Sequence, residues 1–507
     1  EKLRIETVAG SMPGWLLLCV LALGHSICGA SGPFTSHDNR LFDSFGREVL
    51  FHGVNVIYKS APYIPITHHF DGNRSFVEQD AALLEELGLN VVRLGTQWPG
   101  IEPSRGNYSA EYVSQLLEIV QLCAKHNITV FLDMHQDCFS ERFCGEGVPL
   151  WVAESDPALA DSFPEPLRGM SKWPVGDRGV PTLEQCGALN WGAYQFTYAA
   201  AEGYDRLYRN ADGLSDAFAN AWAYVAAAFR GQSNVLAIEL FNEPFAGNYF
   251  KDPLLMYPGH ADKERLQPFY DYVSPTIRQA DPERLIMFEP CTWSDEFGAK
   301  IFESGFEHAP GGPDQSGMSI LSYHFYTNVN KGDPVKYFEA RQRDMSRLNT
   351  SGFVTELSYS TDFDLLDQFR QSWCVWEYKS FLPTMDETPL TPVCTGCSAD
   401  LWPNGVYDPD VARNISRTFP HAIQGRLLSL HFNTHTDYFN MSYTADPTVS
   451  APTRIYLNAK LRYPGGATVK VSASPATGVT HSMDGPNFVE VVASGSGEVV
   501  VEIQRHS

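Results

Sequence analysis

The sequence is poor in basic residues. It has 37 lysines and arginines against 60 aspartates and glutamates, a formal net charge of -23 at pH 7 over 507 residues. A protein with this excess of negative charge repels phosphate backbones and anionic membrane surfaces at long range. Nucleic acid is therefore excluded as an expected partner, and the excess itself is typical of a solvated surface.

The chain also lacks the motifs that would hold a metal or a cofactor. It contains no HExxH sequence, no phosphate-binding loop and no dinucleotide fingerprint. Cys394 and Cys397 could be half of a zinc site or a redox motif, but no second pair of cysteines or histidines follows them. We therefore expect neither a metal nor a cofactor.

Long apolar runs are absent except near the N-terminus. Met12 is followed by an apolar run from Trp15 to Leu23 and then by Cys28-Gly29-Ala30, a pattern typical of a cleaved secretory signal. The run is shorter than the about 18 apolar residues of a membrane-spanning helix, so a membrane anchor is the less favoured alternative. We expect residues 1–30 to be a pre-sequence and signal peptide. The mature protein is then secreted, to the outside or to a digestive or lysosomal lumen.

The cysteines and the glycosylation sequons fit an oxidising compartment. Eight of the 10 cysteines remain after Ala30, an even number that favours disulfides. Cys138 and Cys144 are near enough in sequence to close one loop, as are Cys394 and Cys397. Six Asn-x-Ser/Thr sequons predict glycosylated surface loops, at Asn73, Asn107, Asn127, Asn349, Asn414 and Asn440.

The body of the chain alternates between strand and helix patterns. Short apolar runs predict eight strands, at 49–56, 90–95, 128–134, 235–241, 284–289, 319–325, 352–356 and 372–377. Helical patterns lie between them: Ser75 to Glu78 reads as a capping box opening a helix that ends at Gly88, and Ser109 precedes another helix. Eight such units favour a closed (β/α)8 barrel of the TIM type, although an open doubly wound sheet has the same pattern.

The pattern changes after about residue 425. Segments such as 468–471, 488–492 and 498–503 have strand composition and are separated by turns rich in Gly, Pro and Ser. They predict a small antiparallel β-sandwich. We therefore expect a catalytic domain at 31–425 and a C-terminal domain at 426–507.

Two glutamates follow predicted barrel strands. Phe241-Asn242-Glu243-Pro244 ends the fourth strand and Thr355-Glu356-Leu357 ends the seventh. Residues at the C-terminal ends of barrel strands face the catalytic mouth. One carboxyl group that protonates a leaving oxygen and one that attacks the anomeric carbon are the minimum for glycosidic cleavage. The sequence predicts a pair about 5 Å apart, as in retaining glycosidases.

Other polar and aromatic residues are predicted at the same rim. Arg93 and a tyrosine hydroxyl could keep Glu356 ionised, and Trp376 could present a flat face to a sugar ring. Buried structural roles are the alternative for each residue in this group. The expected substrate-binding residues are Arg93, His135, Asp137, Asn242, His324, Tyr326, Trp376 and Lys59.

These motifs, in this order, resemble glycoside hydrolase family 5 over roughly residues 40–420. The residues that carry the resemblance are Arg93, Asp133-Met134-His135-Gln136-Asp137, Asn242-Glu243-Pro244, His324-Phe325-Tyr326, Glu356 and Trp376. The resemblance implies that Glu243 is the acid/base and Glu356 the nucleophile.

Within that family, three features resemble the endoglycoceramidases, which release an intact oligosaccharide from ceramide. They are the DMHQD stretch at 133–137, the segment from Gly53 to Lys59 and the appended C-terminal sandwich. The resemblance implies a glycosphingolipid substrate, and contact with a lipid surface or micelle is possible on the same grounds.

The loops after the third and fourth strands are long and rich in large apolar residues. These are Phe139, Phe143, Leu150, Trp151 and Trp173 in one loop and Phe245, Tyr249, Phe250, Leu254, Leu255, Met256 and Tyr257 in the other. They could shelter acyl chains, at about 0.8 kcal/mol for each buried methylene, or they could only pack the loops down. The sequence leaves both interpretations open.

Two other functions are compatible with the fold. A polysaccharide endo-glucanase or mannanase of the same family would use the same two glutamates but would have an open cleft. An inactive carbohydrate- or lipid-binding protein could keep the barrel as a scaffold, since fold does not imply function. The presence of both carboxylates and their neighbours favours an enzyme.

Overall fold

The computed structural model describes residues 33–169, 172–173, 179–292, 296–297, 300–327, 332–381 and 400–506. The expected signal peptide and the Cys394/Cys397 pair lie outside the described residues. Within these ranges, no helix has the length and the apolar composition needed to cross a bilayer.

The described residues form 21 strands. From the N-terminus they are β1 (Phe34–His37), β2 (Arg40–Asp43), β3 (Glu48–Val49), β4 (His52–Val56), β5 (Val91–Gly95), β6 (Thr129–Asp133), β7 (Val235–Glu239), β8 (Leu285–Phe288), β9 (Glu296–Phe297), β10 (Lys300–Ile301), β11 (Ser319–Phe325), β12 (Ser351–Ser358), β13 (Ser372–Trp376), β14 (Phe419–Ile423), β15 (Gly425–Asn433), β16 (Tyr438–Ala445), β17 (Thr453–Tyr456), β18 (Ala467–Ala473), β19 (Val479–Asp484), β20 (Phe488–Ala493) and β21 (Gly497–Arg505).

Helices connect most of the barrel strands. The α-helices are α1 (Glu78–Leu87), α2 (Trp98–Ile101), α3 (Ala110–Lys125), α4 (Leu150–Ala153), α5 (Pro157–Ala160), α6 (Leu183–Cys186), α7 (Tyr198–Tyr208), α8 (Leu214–Phe229), α9 (Gln267–Ala280), α10 (Pro334–Leu348), α11 (Phe363–Phe369) and α12 (Pro409–Ile415). Short 3-10 segments lie at Glu141–Phe143, Leu167–Gly169, Trp191–Phe196, Ala211–Gly213, Pro253–Met256, Pro313–Met318 and Pro403–Gly405, and a π-helical turn at Asp262–Leu266.

Eight parallel strands close into a barrel, in the order β11-β12-β13-β4-β5-β6-β7-β8. The predicted (β/α)8 barrel is confirmed, and every predicted strand contributes to it. The first predicted strand, 49–56, needs a correction because the chain changes sheets inside it. The N–H of Leu50 donates to His421 O at 3.4 Å on β14, outside the barrel, whereas the N–H of Phe51 donates to Ser372 Oγ at 3.1 Å in the barrel.

Two predicted helix signals are present, one of them with a different capping residue. Ser109 caps α3, its hydroxyl accepting the N–H of Tyr112 at 3.2 Å. Helix α1 ends at Gly88, which adopts a left-handed φ of 75°. The capping carboxylate of α1 is Asp80 rather than Glu78, because the helix begins at Glu78 and Asp80 lies in its first turn. Asp80 Oδ2 accepts the N–H of Val77 at 2.8 Å.

The C-terminal region is an antiparallel sandwich, as predicted. One sheet has the order β1-β2-β3-β14-β17-β20-β19 and the other β15-β16-β21-β18. Apolar side chains from both sheets form one core, including Phe432, Tyr443, Ile455, Val491 and Val501. The expected boundary at 425/426 falls at the start of β15. The first sheet contains strands from both sides of that position, because β1–β3, which precede the barrel in the chain, join it together with strands of the C-terminal region.

One disulfide joins described residues, and it does not link the two cysteines that are near in sequence. Cys144 bonds to Cys186, which lies 42 residues further along the chain. Cys138 is a free, buried thiol that donates to Trp191 O at 3.2 Å. Cys138 and Cys144 are near enough in sequence to close a loop, but the loop after β6 folds so that α6 brings Cys186 to Cys144 instead.

Candidate active site

The C-terminal ends of the barrel strands bring the two predicted glutamates together. Glu356 lies in β12, and Glu243 lies four residues beyond the end of β7. His324, near the end of β11, is the register partner of Glu356 across the β11–β12 pair. One ligand atom from each of these three side chains lies within 4.8 Å of the others, so two carboxylate oxygens face each other across a sugar-sized gap.

Glu356 is held by two donors. Arg93 Nη1 donates to its Oε1 at 2.6 Å and Tyr326 Oη donates to its Oε2 at 2.7 Å, so both expected contacts are present. Burial alone would raise the pKa of Glu356. The positive charges of His324 and Arg93 and the Tyr326 hydrogen bond outweigh burial and hold that pKa below its usual value. The carboxylate is therefore ionised, as a nucleophile must be.

Glu243 has an unusual backbone conformation. Its φ is 38°, in the left-handed region that a residue with a side chain rarely adopts. Its N–H donates to Glu289 Oε2 at 2.8 Å, and its carbonyl accepts from Gln136 Nε2 at 2.8 Å. These bonds hold the strained turn and direct the Glu243 carboxyl group to His324, whose Nδ1 lies 2.8 Å from Oε1.

His324 is surrounded by three carboxyl groups. Its Nδ1 lies 3.5 Å from Glu356 Oε2 and its Nε2 lies 3.6 Å from Glu289 Oε1, in addition to the contact with Glu243. Burial disfavours a charged ring, but the three carboxyl groups outweigh burial and raise the pKa of His324 to about 10. The ring is therefore an imidazolium near neutral pH, and its Nδ1–H donates to Glu243.

Arg93 is the centre of a buried network beneath the two glutamates. Its Nε donates to Glu239 Oε2 at 2.6 Å, its Nη2 to Asn242 Oδ1 at 2.7 Å, and Asp133 Oδ1 lies 3.1 Å from Nη2. Arg93 is fully buried and Asn242 is almost so. Both were expected to bind substrate, but their polar groups are engaged within the protein. They orient Glu356 and the strand end that carries Glu243.

Four further predicted residues form a second group beside the glutamates. Lys59 contacts Asp137, and its Nζ lies 4.8 Å from the ring centroid of Trp376. The ring of His135 stacks on Trp376 with centroids 5.2 Å apart, and His135 Nδ1 lies 2.8 Å from Asp133 Oδ2. Trp376 itself remains partly exposed. The structure thus brings all ten predicted site residues into one region.

Several acidic residues of this region were missed from sequence. Glu289, Glu239 and Glu146 are buried there. Glu289 ends the predicted fifth strand, so the rule that located Glu243 and Glu356 could have located it. Glu239 ends β7 but lies inside the predicted strand 235–241, where alternation alone does not tell the barrel interior from its surroundings. Burial raises the pKa of Glu289 well above its usual value, and the positive charge of His324 only partly opposes this.

Two groups of side chains in this region could offer ligand atoms to a metal ion. They are Glu243, His324 and Glu356, and His135, Asp137 and Glu146. In the second group the ammonium of Lys59 contacts Asp137 and lies 3.0 Å from Glu146 Oε1. A cation of the protein therefore already pairs with these two carboxyl groups. In the first group the imidazolium of His324 has the same role.

The apolar loops divide into a buried and an exposed part. Phe139, Phe143, Phe245 and Leu255 are buried in the core, so packing explains them. The exposed part, here named the apolar rim, begins where Phe245 contacts Phe196, with centroids 5.3 Å apart. The rim comprises Phe196, Tyr198, Tyr249, Phe250, Leu254, Met256 and Tyr257.

The aromatic part of the apolar rim is continuous. The ring centroids of Phe196 and Tyr249 are 6.1 Å apart, those of Tyr249 and Phe250 4.2 Å, and those of Tyr198 and Phe250 4.4 Å. Leu254 is 63% exposed and Tyr257 55% exposed in the loop that follows. An apolar surface therefore extends outward from the strand end that carries Glu243.

Comparison with protein families matches both parts of the fold. The family described as cellulase (glycosyl hydrolase family 5) matches residues 62–381. The family described as the glycoside hydrolase family 5 C-terminal domain matches residues 417–503. The first match covers every barrel strand except β4, and the second covers most of the sandwich.

Similar proteins extend over nearly the whole chain. The endoglycoceramidase of Cyanea nozakii is 39% identical over 448 residues, 85% of this chain and 85% of its own length. The endoglycoceramidase of Hydra vulgaris is 39% identical over 467 residues, 90% of this chain and 86% of its own. Among solved structures, endo-glycoceramidase II from Rhodococcus sp. in its ganglioside GM3 complex superimposes with a TM-score of 0.68. It is 20% identical and covers 92% of this chain and 99% of its own, which shows a shared fold.

Proposed function

Because the chain belongs to glycoside hydrolase family 5, we propose that it is a retaining endoglycoceramidase. It hydrolyses the β-glycosidic bond between the oligosaccharide and the ceramide of a glycosphingolipid. The observation that carries the chemistry is the gap of at most 4.8 Å between the carboxylate oxygens of Glu243 and Glu356. Retaining enzymes hold this pair about 5–5.5 Å apart, whereas inverting enzymes need about 6.5–9.5 Å to admit a water.

The first step forms a covalent glycosyl-enzyme intermediate. An oxygen of Glu356 attacks the anomeric carbon, the bond from that carbon to the ceramide oxygen breaks, and Glu243 gives its proton to the departing oxygen. Glu243 is then a carboxylate with the His324 imidazolium 2.8 Å away, which stabilises the new negative charge. The tyrosine hydroxyl of Tyr326 keeps the attacking carboxylate oriented.

The second step reverses these roles. Glu243, now a carboxylate, takes a proton from a water molecule, whose oxygen attacks the same anomeric carbon. The bond to Glu356 breaks, and the oligosaccharide leaves with its original anomeric configuration. We propose that Trp376 and the neighbouring Lys59, Asp137 and His135 bind the sugar during both steps.

Two observations support an apolar aglycone. The two relatives that are 39% identical are both endoglycoceramidases. The apolar rim adjoins the buried Phe245, two residues after Glu243, through Phe196, and an acid/base stands on the leaving-group side of the scissile bond. Acyl chains on that side would cover Phe250, Leu254 and Tyr257. We therefore also propose that the rim contacts the lipid surface from which the substrate is drawn.

A polysaccharide endo-glucanase or mannanase is the second candidate, since the matching family is described as cellulase. Incubation with a ganglioside, followed by mass analysis, should give intact oligosaccharide and ceramide. Monosaccharides alone, or hydrolysis of a soluble cellulose derivative with the ganglioside untouched, would reject the endoglycoceramidase assignment.

Two variants test the roles of the glutamates in the same assay. Glu356→Gln should reduce kcat at least about a thousand-fold and Glu243→Gln about a hundred-fold or more. Glu118→Gln, an exposed glutamate on α3 with the same loss of charge, should keep full activity. Retained activity in Glu356→Gln would reject the nucleophile assignment.

We also propose that the protein works in a secretory or extracellular space. The Cys144–Cys186 disulfide is typical of oxidising compartments. All six sequon asparagines are at least partly exposed and accessible to glycans. Expression in a secreting eukaryotic cell, with mass analysis of the medium, should recover the glycosylated, oxidised protein. Its confinement to the cytosol in the reduced form would contradict this proposal.

A further inference from the structure

A polar cavity lies at the opposite end of the barrel from the two glutamates. It has a volume of about 180 Å³ and is bounded by the β1–β2 hairpin, the starts of β12 and β13, the end of α11 and the start of β15. Ser351 lines it, five residues before Glu356 on the same strand. At about 3.3 Å for each strand residue, the cavity is roughly 16 Å from the active site.

Three arginines face this cavity in a molecule that carries a large net negative charge. They are Arg40 on β2, Arg370 after α11 and Arg426 on β15. Two of them belong to the sandwich and one to the barrel. The carboxylates that line the same space are Asp38 and Glu48.

Only one of the three guanidinium groups has a carboxylate partner here. Arg40 pairs with Glu48, and Glu48 Oε2 also accepts the N–H of Leu427 at 2.8 Å. Arg370 Nη1 donates to the carbonyl of Leu428 at 3.1 Å. Over the described ranges, neither Arg370 nor Arg426 forms an ion pair with a carboxylate. Asp38 is exposed at the rim and lies near His37, 3.5 Å from its Nδ1.

The positive charges of the three arginines repel one another. Burial lowers the pKa of Arg370, and the charges of Arg40 and Arg426 lower it further, while Glu48 opposes them. Guanidinium groups in a partly enclosed polar space are stabilised by an anion that accepts from several of them at once. A volume of this size holds one oxyanion together with a few waters.

We propose that this cavity is a binding site for a small oxyanion or carboxylate, held by Arg370 and Arg426 with Arg40 beside them. The ligand class is a tetrahedral phosphate or sulfate or a planar carboxylate, because forked guanidinium groups suit both. Since the arginines come from the barrel and from the sandwich, a bound anion ties the two parts together. The proposal does not depend on the glycosidase assignment.

Thermal unfolding of the whole protein tests the proposal. Sodium phosphate, sulfate and acetate are each compared with sodium chloride at equal ionic strength, so that general screening cancels. A ligand that binds only the folded state raises Tm, and we expect a rise of at least about 2 °C at millimolar concentrations for the preferred anion. The preferred anion distinguishes tetrahedral from carboxylate ligands.

Variants connect the shift to the cavity. Arg370→Gln and Arg426→Gln should each lose at least half of the shift, while Arg230→Gln, at an exposed arginine elsewhere, should keep it. If Arg370→Gln does not fold, Arg426→Gln decides alone, since Arg426 is exposed and tolerates substitution. A lack of any anion-specific shift, or the same shift in the wild-type protein and both cavity variants, would overturn the proposal.

Discussion

At the scale of single residues, the chemistry of the site depends on which of its acidic and basic side chains are protonated. His324 has carboxyl groups at 2.8, 3.5 and 3.6 Å, and these raise its pKa to about 10. One cation, the His324 imidazolium, therefore lies beside both Glu243 and Glu356. It helps to keep Glu356 ionised, and in the proposed mechanism it stabilises Glu243 after proton transfer. The pH dependence of the enzyme should reflect this arrangement.

The acid side of the pH profile is expected to follow Glu356. A nucleophile with a lowered pKa stays ionised, and therefore active, until the pH falls through that lowered value. Tyr326→Phe removes a hydrogen bond to the carboxylate, so the pKa of Glu356 should rise and the acid limb of kcat/KM should move to higher pH. Loss of a hydrogen bond to a charged group should also reduce kcat about ten-fold or more.

Tyr438→Phe is the matched control for this prediction. Tyr438 donates to Glu502 Oε1 at 2.5 Å on the surface of the sandwich, far from the barrel mouth. It should change neither the rate nor the profile. An unmoved acid limb in Tyr326→Phe would show that Glu356 does not control that side of the profile.

Glu289 is expected to act as a positioning residue for the acid/base. Its carboxyl group accepts the N–H of Glu243, whose φ of 38° needs such support. Glu289→Gln retains an amide oxygen as acceptor and should lose less than about five-fold in kcat. Glu289→Leu has no acceptor and should lose roughly 10–100-fold in kcat with little change in KM. Equal kcat values for the two variants would contradict this role.

At the scale of an element, the loop after β7 is predicted to serve lipid-bound substrates. Leu254→Ser combined with Met256→Ser removes two exposed apolar side chains from the apolar rim. Burying each of these apolar side chains against lipid contributes about 1.5–3 kcal/mol. Without them, kcat/KM on a glycolipid in vesicles should fall at least about ten-fold. Activity on the same head group attached to a short soluble aglycone should not change.

Leu428→Ser controls for a general effect of removing an exposed leucine. Leu428 lies on β15 in the sandwich and is 42% exposed, so this variant should match the wild-type protein on both substrates. A loop variant that lost activity equally on vesicle-bound and soluble substrates would instead indicate a damaged active site.

At the scale of the whole molecule, a buried ion pair joins the barrel to the sandwich. Arg417 contacts Asp367 of α11 and also donates to the carbonyl of Phe432 on β15 at 3.2 Å. Both charged side chains are at most 3% exposed. Arg417→Met would leave Asp367 buried without its cationic partner, and stability should fall by about 3–5 kcal/mol.

Calorimetry or denaturant titration measures this loss. Arg343→Met, which breaks the exposed pair with Glu303, should cost less than about 1 kcal/mol. Adding Asp367→Leu to Arg417→Met should restore part of the stability, because the stranded charge is removed. A loss in Arg417→Met no larger than in Arg343→Met would mean that the pair does not join the domains.

Much of this molecule follows from local patterns. Eight buried apolar runs separated by helices predict the barrel, since strands covered on both faces have this composition. The position of Glu243 and Glu356 at strand ends predicts their meeting, because the C-terminal ends of barrel strands surround one mouth. Ser109 and Gly88 predict helix ends because a side-chain acceptor and a left-handed residue satisfy backbone groups locally.

The sequence by itself therefore determined the elements, their order and the pair of glutamates, all of which depend on short-range periodicity and on the geometry of a closed barrel. Only the tertiary structure decided the pairing of Cys144 with Cys186, the union of β1–β3 with the C-terminal strands and the support of Glu243 by Glu289. It also decided which apolar loop residues are buried and which form the apolar rim. These features join segments that are distant in the chain, and such contacts depend on the packing of the whole molecule.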